Sequence, residues 1–193
     1  MKMLMGAAAA ALLAGAAFAD DHGGAWTSVE DASRVAFGSV KGNETGEVHH
    51  FNRVSGEVAP SGAVAVRIDL GSVETNIDIR NERMLEHVFK GMGEAVLTGT
   101  VDYAAISALP VGATTIAPFE GALALGPVVA EVEAEMLVAR LTEDRVLVTT
   151  ADFIMLSTAD LGIDGGIDAL KELAGLSGIT RVTPVAIRMV FEK

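Results

Sequence analysis

The chain of 193 residues is 50% hydrophobic and 21% charged, proportions of a globular domain and not of a disordered or collagen-like one. Its 14 basic against 26 acidic residues give a formal charge of −12, which excludes the basic footprint needed to hold nucleic-acid phosphates. With no cysteine, disulfide frameworks, thiolate metal sites and cysteine nucleophiles are excluded as well, and only His and carboxylates remain as metal ligands.

Met1–Ala19 carries one early positive charge at Lys2, an Ala/Leu-rich apolar stretch, and small residues flanking Phe18. That is the pattern of a secretory signal peptide, too short and too rich in Gly and Ala for a membrane anchor. Cleavage after Ala19 is expected to deliver the chain from Asp20 onward to the periplasm. No later stretch is long and apolar enough to span a bilayer, so no stable membrane span is expected after cleavage.

From Trp26 onward the sequence shows period-two alternation, which puts successive side chains on opposite faces of a strand. Strands are predicted at Trp26–Val29, Arg34–Lys41, Val48–Val58, Val64–Leu70, Glu94–Val101, Ile116–Leu125, Val128–Val138, Arg145–Phe153 and Pro184–Glu192. The clearest is Val128–Val138, where even positions are apolar and Glu131, Glu133 and Glu135 occupy the other face. Two segments break the alternation. Asn81–Phe89 pairs Met84 with Val88 and Leu85 with Phe89 at helical spacing, and Ile167–Leu173 is helical behind Asp164 as N-cap. About nine antiparallel strands with one or two short helices and no βαβ alternation predict an all-β fold, a closed antiparallel barrel that leaves no exposed edges. No repeat or linker divides it, so residues 20–193 read as one domain.

The polar residues offer little chemistry. Glu47 and His49 share a strand face but His49 and His50 do not, so a metal site is not expected and the histidines read as solvated. No nucleophile elbow, phosphate loop or calcium-loop spacing occurs. An isomerase or dehydratase acting on an apolar substrate would rest on His50 and Glu74 alone. What remains is apolar: a barrel of about eight strands either fills its interior or keeps room for one ligand, and the many Ala, Gly and Val residues leave space. The candidate lining residues are Phe37, Phe51, Met84, Leu85, Val88, Phe89, Phe119, Met136 and Phe153.

The run Gly71–Phe89, with Ser72-Val73-Glu74-Thr75, Arg80-Asn81, Arg83-Met84 and Phe89, resembles the Ser-Ile-Asp-Thr, Arg-Asp-x-His-Leu and Phe-Phe signature of the YceI-like family. Trp26, Ser33-Arg34-Val35-Ala36-Phe37, Gly46 and Val54-Ser55-Gly56 fall where that family has its Trp, its Ser-x-Val-x-Phe strand and its following glycine-bearing strand. Ala32-Ser33 stands in place of the family's His-Ser, so the chain resembles a divergent member. The resemblance implies a lipocalin-like barrel, export, and an isoprenoid quinone or polyprenyl-type lipid bound inside without a further cofactor. Ser72, Thr75 and Arg80 are then expected to tie down the turn before the first helix, with Met84, Leu85, Val88 and Phe89 as a plug over one barrel end. The function expected is a non-enzymatic binding protein. The alternative is a filled barrel acting as a structural or interaction module, for which a homodimer is left open.

Overall fold

The computed structural model describes residues 24–193, so the leader read at Met1–Ala19 lies outside the described residues. Where the sequence alternates, the chain is extended. The strands are β1 (Trp26–Ser28), β2 (Arg34–Lys41), β3 (Thr45–Phe51), β4 (Val54–Val58), β5 (Ala63–Asp69), β6 (Val73–Glu74), β7 (Glu94–Thr100), β8 (Thr114–Leu125), β9 (Val128–Arg140), β10 (Arg145–Thr150), β11 (Ile154–Ser157) and β12 (Val182–Glu192).

Antiparallel pairing runs β1-β4-β5-β7-β8-β9-β10-β12, and β12 returns to β1 through Thr27 opposite Glu192 and Ser28 opposite Phe191. The circuit is a closed eight-stranded barrel. The first half of β12 extends beyond it, pairing with β11 on one edge and β2 on the other, and β2-β3-β6 continues the wall at that end. We call this the upper end and the Trp26 end the lower.

One predicted strand is divided in the structure, and another ends early. Val48–Val58 breaks at Asn52–Arg53, because the Asn52 amide donates to the Ser72 carbonyl, the Arg53 amide to Ser72 Oγ, and the Asp69 amide to the Arg53 carbonyl. The chain thereby leaves the ladder with β2 and joins the one with β5. Arg145–Phe153 ends at Thr150, and β11, a strand beyond the predicted range, pairs with the other half of the same β12 edge.

Among the described residues three α-helical segments decorate the barrel, besides single 3-10 turns at Glu30–Ala32 and Leu70–Ser72. α1 (Asp78–Arg83) runs into a π-helical turn at Met84–Phe89, which Lys90 ends with φ of 49°. α2 (Tyr103–Ser107) was not evident in the alternation; the Asp102 carboxylate caps it by accepting the Ala105 amide at 3.0 Å. α3 (Asp164–Leu173) begins at Asp164 itself, correcting the N-cap expectation: that carboxylate accepts instead from the Thr158 hydroxyl and from Arg181.

The inward residues form one core in which Val54, Val138 and Met189 are 1% exposed. Burial of each such side chain contributes about 1.5–3 kcal/mol. Among the described residues, no helix is long and apolar enough to cross a membrane.

Candidate functional site

Two cavities lie inside the barrel. The lower, about 80 Å³, is bounded by inward residues of the closed circuit, including Val66, Leu97, Phe119, Met136, Ile187 and Met189, with Trp26 at its base. The upper, about 150 Å³, is bounded by Phe37, Phe51, Ile68 and Val185 from the strands, by Met84, Val88 and Phe89 from the π-helical turn, and by Ile163 and Ile167 beside and on α3. They are successive storeys of one interior. Val66 and Ile68, Leu97 and Ala95, Ile187 and Val185, and Ile154 and Leu156 are two residues apart on the same strand, and the first of each pair faces the lower void and the second the upper. A void of 150 Å³ lined by apolar groups is the size that accepts a benzene-sized ligand.

Local sequence shapes both storeys. In the lower one Gly99 and Gly121 are cross-strand partners, and a Cβ on either would stand 2.6–2.7 Å from the Phe119 ring, so the two glycines make the bed on which that ring lies. Trp26 closes the base with the Arg140 guanidinium and the Lys193 ammonium 4.8 and 4.7 Å from its ring centroid. In the upper one Phe37 and Phe51 pack at 5.3 Å between centroids and Phe51 and Phe89 at 5.9 Å, joining the wall to its helical cover.

Of the residues singled out in the sequence, Phe37, Phe51, Met84, Val88 and Phe89 come together around the upper cavity, and Phe119 and Met136 around the lower. Leu85 packs against the core without bordering either void. Phe153 is a correction: it is 69% exposed. Ile154 begins β11 pointing inward, so its neighbour Phe153 points outward, and alternation places Met155 outside as well. The sequence reading missed Trp26 as the base, and Ile163 and Ile167 as part of the cover. The apolar spacing of α3 was their only signal.

The turn before α1 carries the polar contacts expected of it. Ser72 Oγ donates to the Asp69 carbonyl at 2.6 Å, and Thr75 Oγ1 donates to Asn81 Oδ1 at 2.6 Å. Arg80 donates from Nη2 to the Thr75 carbonyl at 2.6 Å and from Nη1 to Glu47 at 2.7 Å. Glu47 also accepts from Lys41 at 3.1 Å. Partial burial pushes the Glu47 carboxyl up, but its two cationic partners outweigh this and hold it below the usual range.

His49 is not the solvated residue expected. It shares the inner face of β3 with Phe51, is 4% exposed, stacks against Phe37 at 5.2 Å, and has Nε2 3.0 Å from Ser39 Oγ. Burial, with the nearby Arg80 charge, lowers its pKa to about 4, so the ring is neutral at physiological pH. His50, on the opposite face, pairs across strands with Glu74, whose carboxylate is held below its usual range by the Asn76 amide and the Asn81 side chain. Neither borders either cavity, and among the described residues no charged residue or histidine appears in either lining. Among the described residues no group of three or more His, Asp or Glu side chains is placed to hold a metal ion.

An eight-stranded antiparallel barrel with two stacked apolar voids and a helical cover at one end defines a lipocalin-like barrel. Among solved structures, a polyisoprenoid-binding domain from Saccharophagus degradans, implicated in plant cell wall breakdown, superposes with a TM-score of 0.84 at 31% identity, covering 86% of this chain and 97% of that one. BcnA from Burkholderia cenocepacia superposes with a TM-score of 0.65 at 14% identity over 84% of this chain and 98% of its own, a likeness of fold alone. No protein-family model and no curated protein matches the sequence. At that identity and coverage of the S. degradans domain, the chain belongs to the YceI-like family of polyisoprenoid-binding barrels.

Proposed function

We propose that this protein is an exported, non-enzymatic carrier that holds an elongated apolar lipid of isoprenoid type along the barrel axis. The observation that carries this reading is the pair of stacked cavities whose linings contain no charged group. From Phe191 to Thr183, β12 alone lines them over about 26 Å of strand, so the interior suits a chain and not a compact molecule. Each buried methylene is worth about 0.8 kcal/mol before ordering costs, so a chain that displaces the helical cover and joins the two storeys, which at about 80 and 150 Å³ hold only benzene-sized groups as they stand, gains affinity with few polar contacts. The S. degradans relative's polyisoprenoid binding supports the ligand class. Absence of a charged group or histidine from the linings supports carriage over catalysis.

The test is native mass spectrometry of protein purified from an exporting host, followed by solvent extraction. The expected result is a chain beginning at Asp20 with a stoichiometric apolar adduct that extraction releases as an isoprenoid lipid. A bare chain, alone or as a dimer, that takes up no isoprenoid on incubation overturns the carrier reading in favour of a filled interaction module.

A further inference from the structure

The upper cavity has hydroxyl groups on its wall, and their hydrogen bonds are not all used. Thr183 Oγ1 donates to the Gly38 carbonyl at 2.6 Å, and Thr158 donates to Asp164, so these two are committed. Ser39 Oγ has His49 Nε2 as its one side-chain partner, and Thr180 Oγ1 accepts the Val40 amide at 3.1 Å. Both line the void, and they lie together, since the Thr180 amide donates to the Val40 carbonyl next to Ser39.

The histidine decides which way the Ser39 proton points. His49 Nδ1 is buried without a hydrogen-bond partner. A proton there would be an orphaned buried N–H, which native structures strongly avoid, whereas an unmatched ring acceptor is tolerated better. The ring therefore carries its proton on Nε2 and donates it to Ser39 Oγ. Ser39 is left with a hydroxyl hydrogen that has no acceptor among the described residues and a cavity in front of it.

Resting on the carrier reading, we infer that Ser39, oriented by His49 and flanked by Thr180, is a polar reading point for the head of the ligand. It takes an uncharged group with an acceptor oxygen, such as the ring carbonyl of an isoprenoid quinone. No cation lines this cavity, so a phosphate head would be left with its charge unmatched. The lower cavity presents no polar surface at all, so the head stays in the upper storey and the tail runs toward Trp26.

The test uses displacement of 1-aminoanthracene from the purified protein by an isoprenoid quinone, by the matching polyprenyl phosphate and by squalene, which has a tail and no head. Wild type is expected to bind the quinone about tenfold more tightly than squalene, the value of one good hydrogen bond, and the phosphate least well. In Ser39→Ala the ratio of quinone to squalene affinity is expected to fall to near one. Thr180→Val is expected to lower the same ratio by less. If wild type binds none of the three, the carrier reading itself fails. If it binds quinone and squalene with a ratio that Ser39→Ala leaves unchanged, or prefers the phosphate, the head-group inference is overturned while the carrier reading stands.

Discussion

The two storeys of the barrel are built from the same kind of strand yet differ in what closes them. The lower is bounded mostly by the hydrogen-bonded circuit, with Ile106 of α2 and Ile154 of β11 beside it, and is sealed at Trp26 by Arg140 of β9 and Lys193, with an aromatic ring bedded on paired glycines. The upper is completed by a π-helical turn and α3, which touch the barrel through side chains and lack the ladder bonds that bind strand to strand. A π-helical turn is itself a rare element, frequent at functional sites. The contrast predicts a division of labour: the lower storey, closed mostly by strand ladders, should carry more of the stability, and the upper storey, covered by helical segments, should open at lower cost.

The largest effect expected from this contrast is on stability. Phe119→Ala removes a ring whose place no neighbour can take, because Gly99 and Gly121 have no side chains to move into it. It should cost about 3–5 kcal/mol in equilibrium urea unfolding, while Met84→Ala, on a cover that can settle inward, should cost nearer about 2 kcal/mol. Equal losses would mean that the two ends carry stability alike, and the proposed division of labour would be wrong.

Much of this was legible because the barrel wall is an alternating pattern with one buried face. β2 was readable to the residue, β9 and β12 nearly so, and Phe119 and Met136 follow from the parity of their strands. The breaks were not legible. Asn52–Arg53 divides two strands through bonds to Ser72 and Asp69, partners close to twenty residues away, and nothing local marks it. Phe153 misleads for a different reason: its aromatic ring suggests the interior, but its neighbour Ile154 starts β11 on the inner face and turns Phe153 outward. His49 was misjudged since alternation gives the face a residue occupies but not what covers that face, and Phe37 with the Arg80 turn covers this one. The π-helical turn has no period that separates it from an ordinary helix in so short a segment.

The second prediction tests the upper storey alone. Unfolded, His49 takes up a proton near pH 6.5; folded, near pH 4, because burial and the Arg80 charge disfavour the cation. Between those values the unfolded chain binds more protons, so stability is fully present above pH 6.5 and falls as pH drops through 4, by about 3 kcal/mol in all. Glu47, Lys41, Arg80 and His50 are the charged or titratable groups around it, and Glu47, held below its usual range, loses stability in the same direction at lower pH. Urea midpoints measured between pH 7 and 4.5 should fall steadily in wild type and much less in His49→Gln. Amide protection, taken relative to the intrinsic exchange rate at each pH, should fall first in β2 and β3. A loss that begins in β8 and β9 would place the weak end of the barrel at the wrong storey.

The smallest effect is the most specific to access. Gly166 on α3 lies so close to the π-helical turn that a Cβ would stand 2.6 Å from the His87 carbonyl oxygen and from Val88 Cα, both backbone atoms that cannot yield cheaply. Gly166→Ala must therefore push α3 away from the turn, against the hold of Arg181 on the Asp164 carbonyl at 2.9 Å and on the Asp168 carboxylate. The overpacking costs about 1–3 kcal/mol, and the better helix propensity of alanine returns about 1 kcal/mol, so a net loss of about 1 kcal/mol is expected. Such a small loss would be unremarkable if α3 were only packing. If α3 is the cover of the upper cavity, the same substitution should speed release of a bound apolar probe several-fold in stopped-flow displacement while amide protection in β7, β8 and β9 stays unchanged. A release rate equal to wild type, with α3 displaced, would mean that the ligand's route lies elsewhere in the wall. In that case the upper cavity is a sealed chamber, and its helical cover is a second floor like Trp26 and not a door.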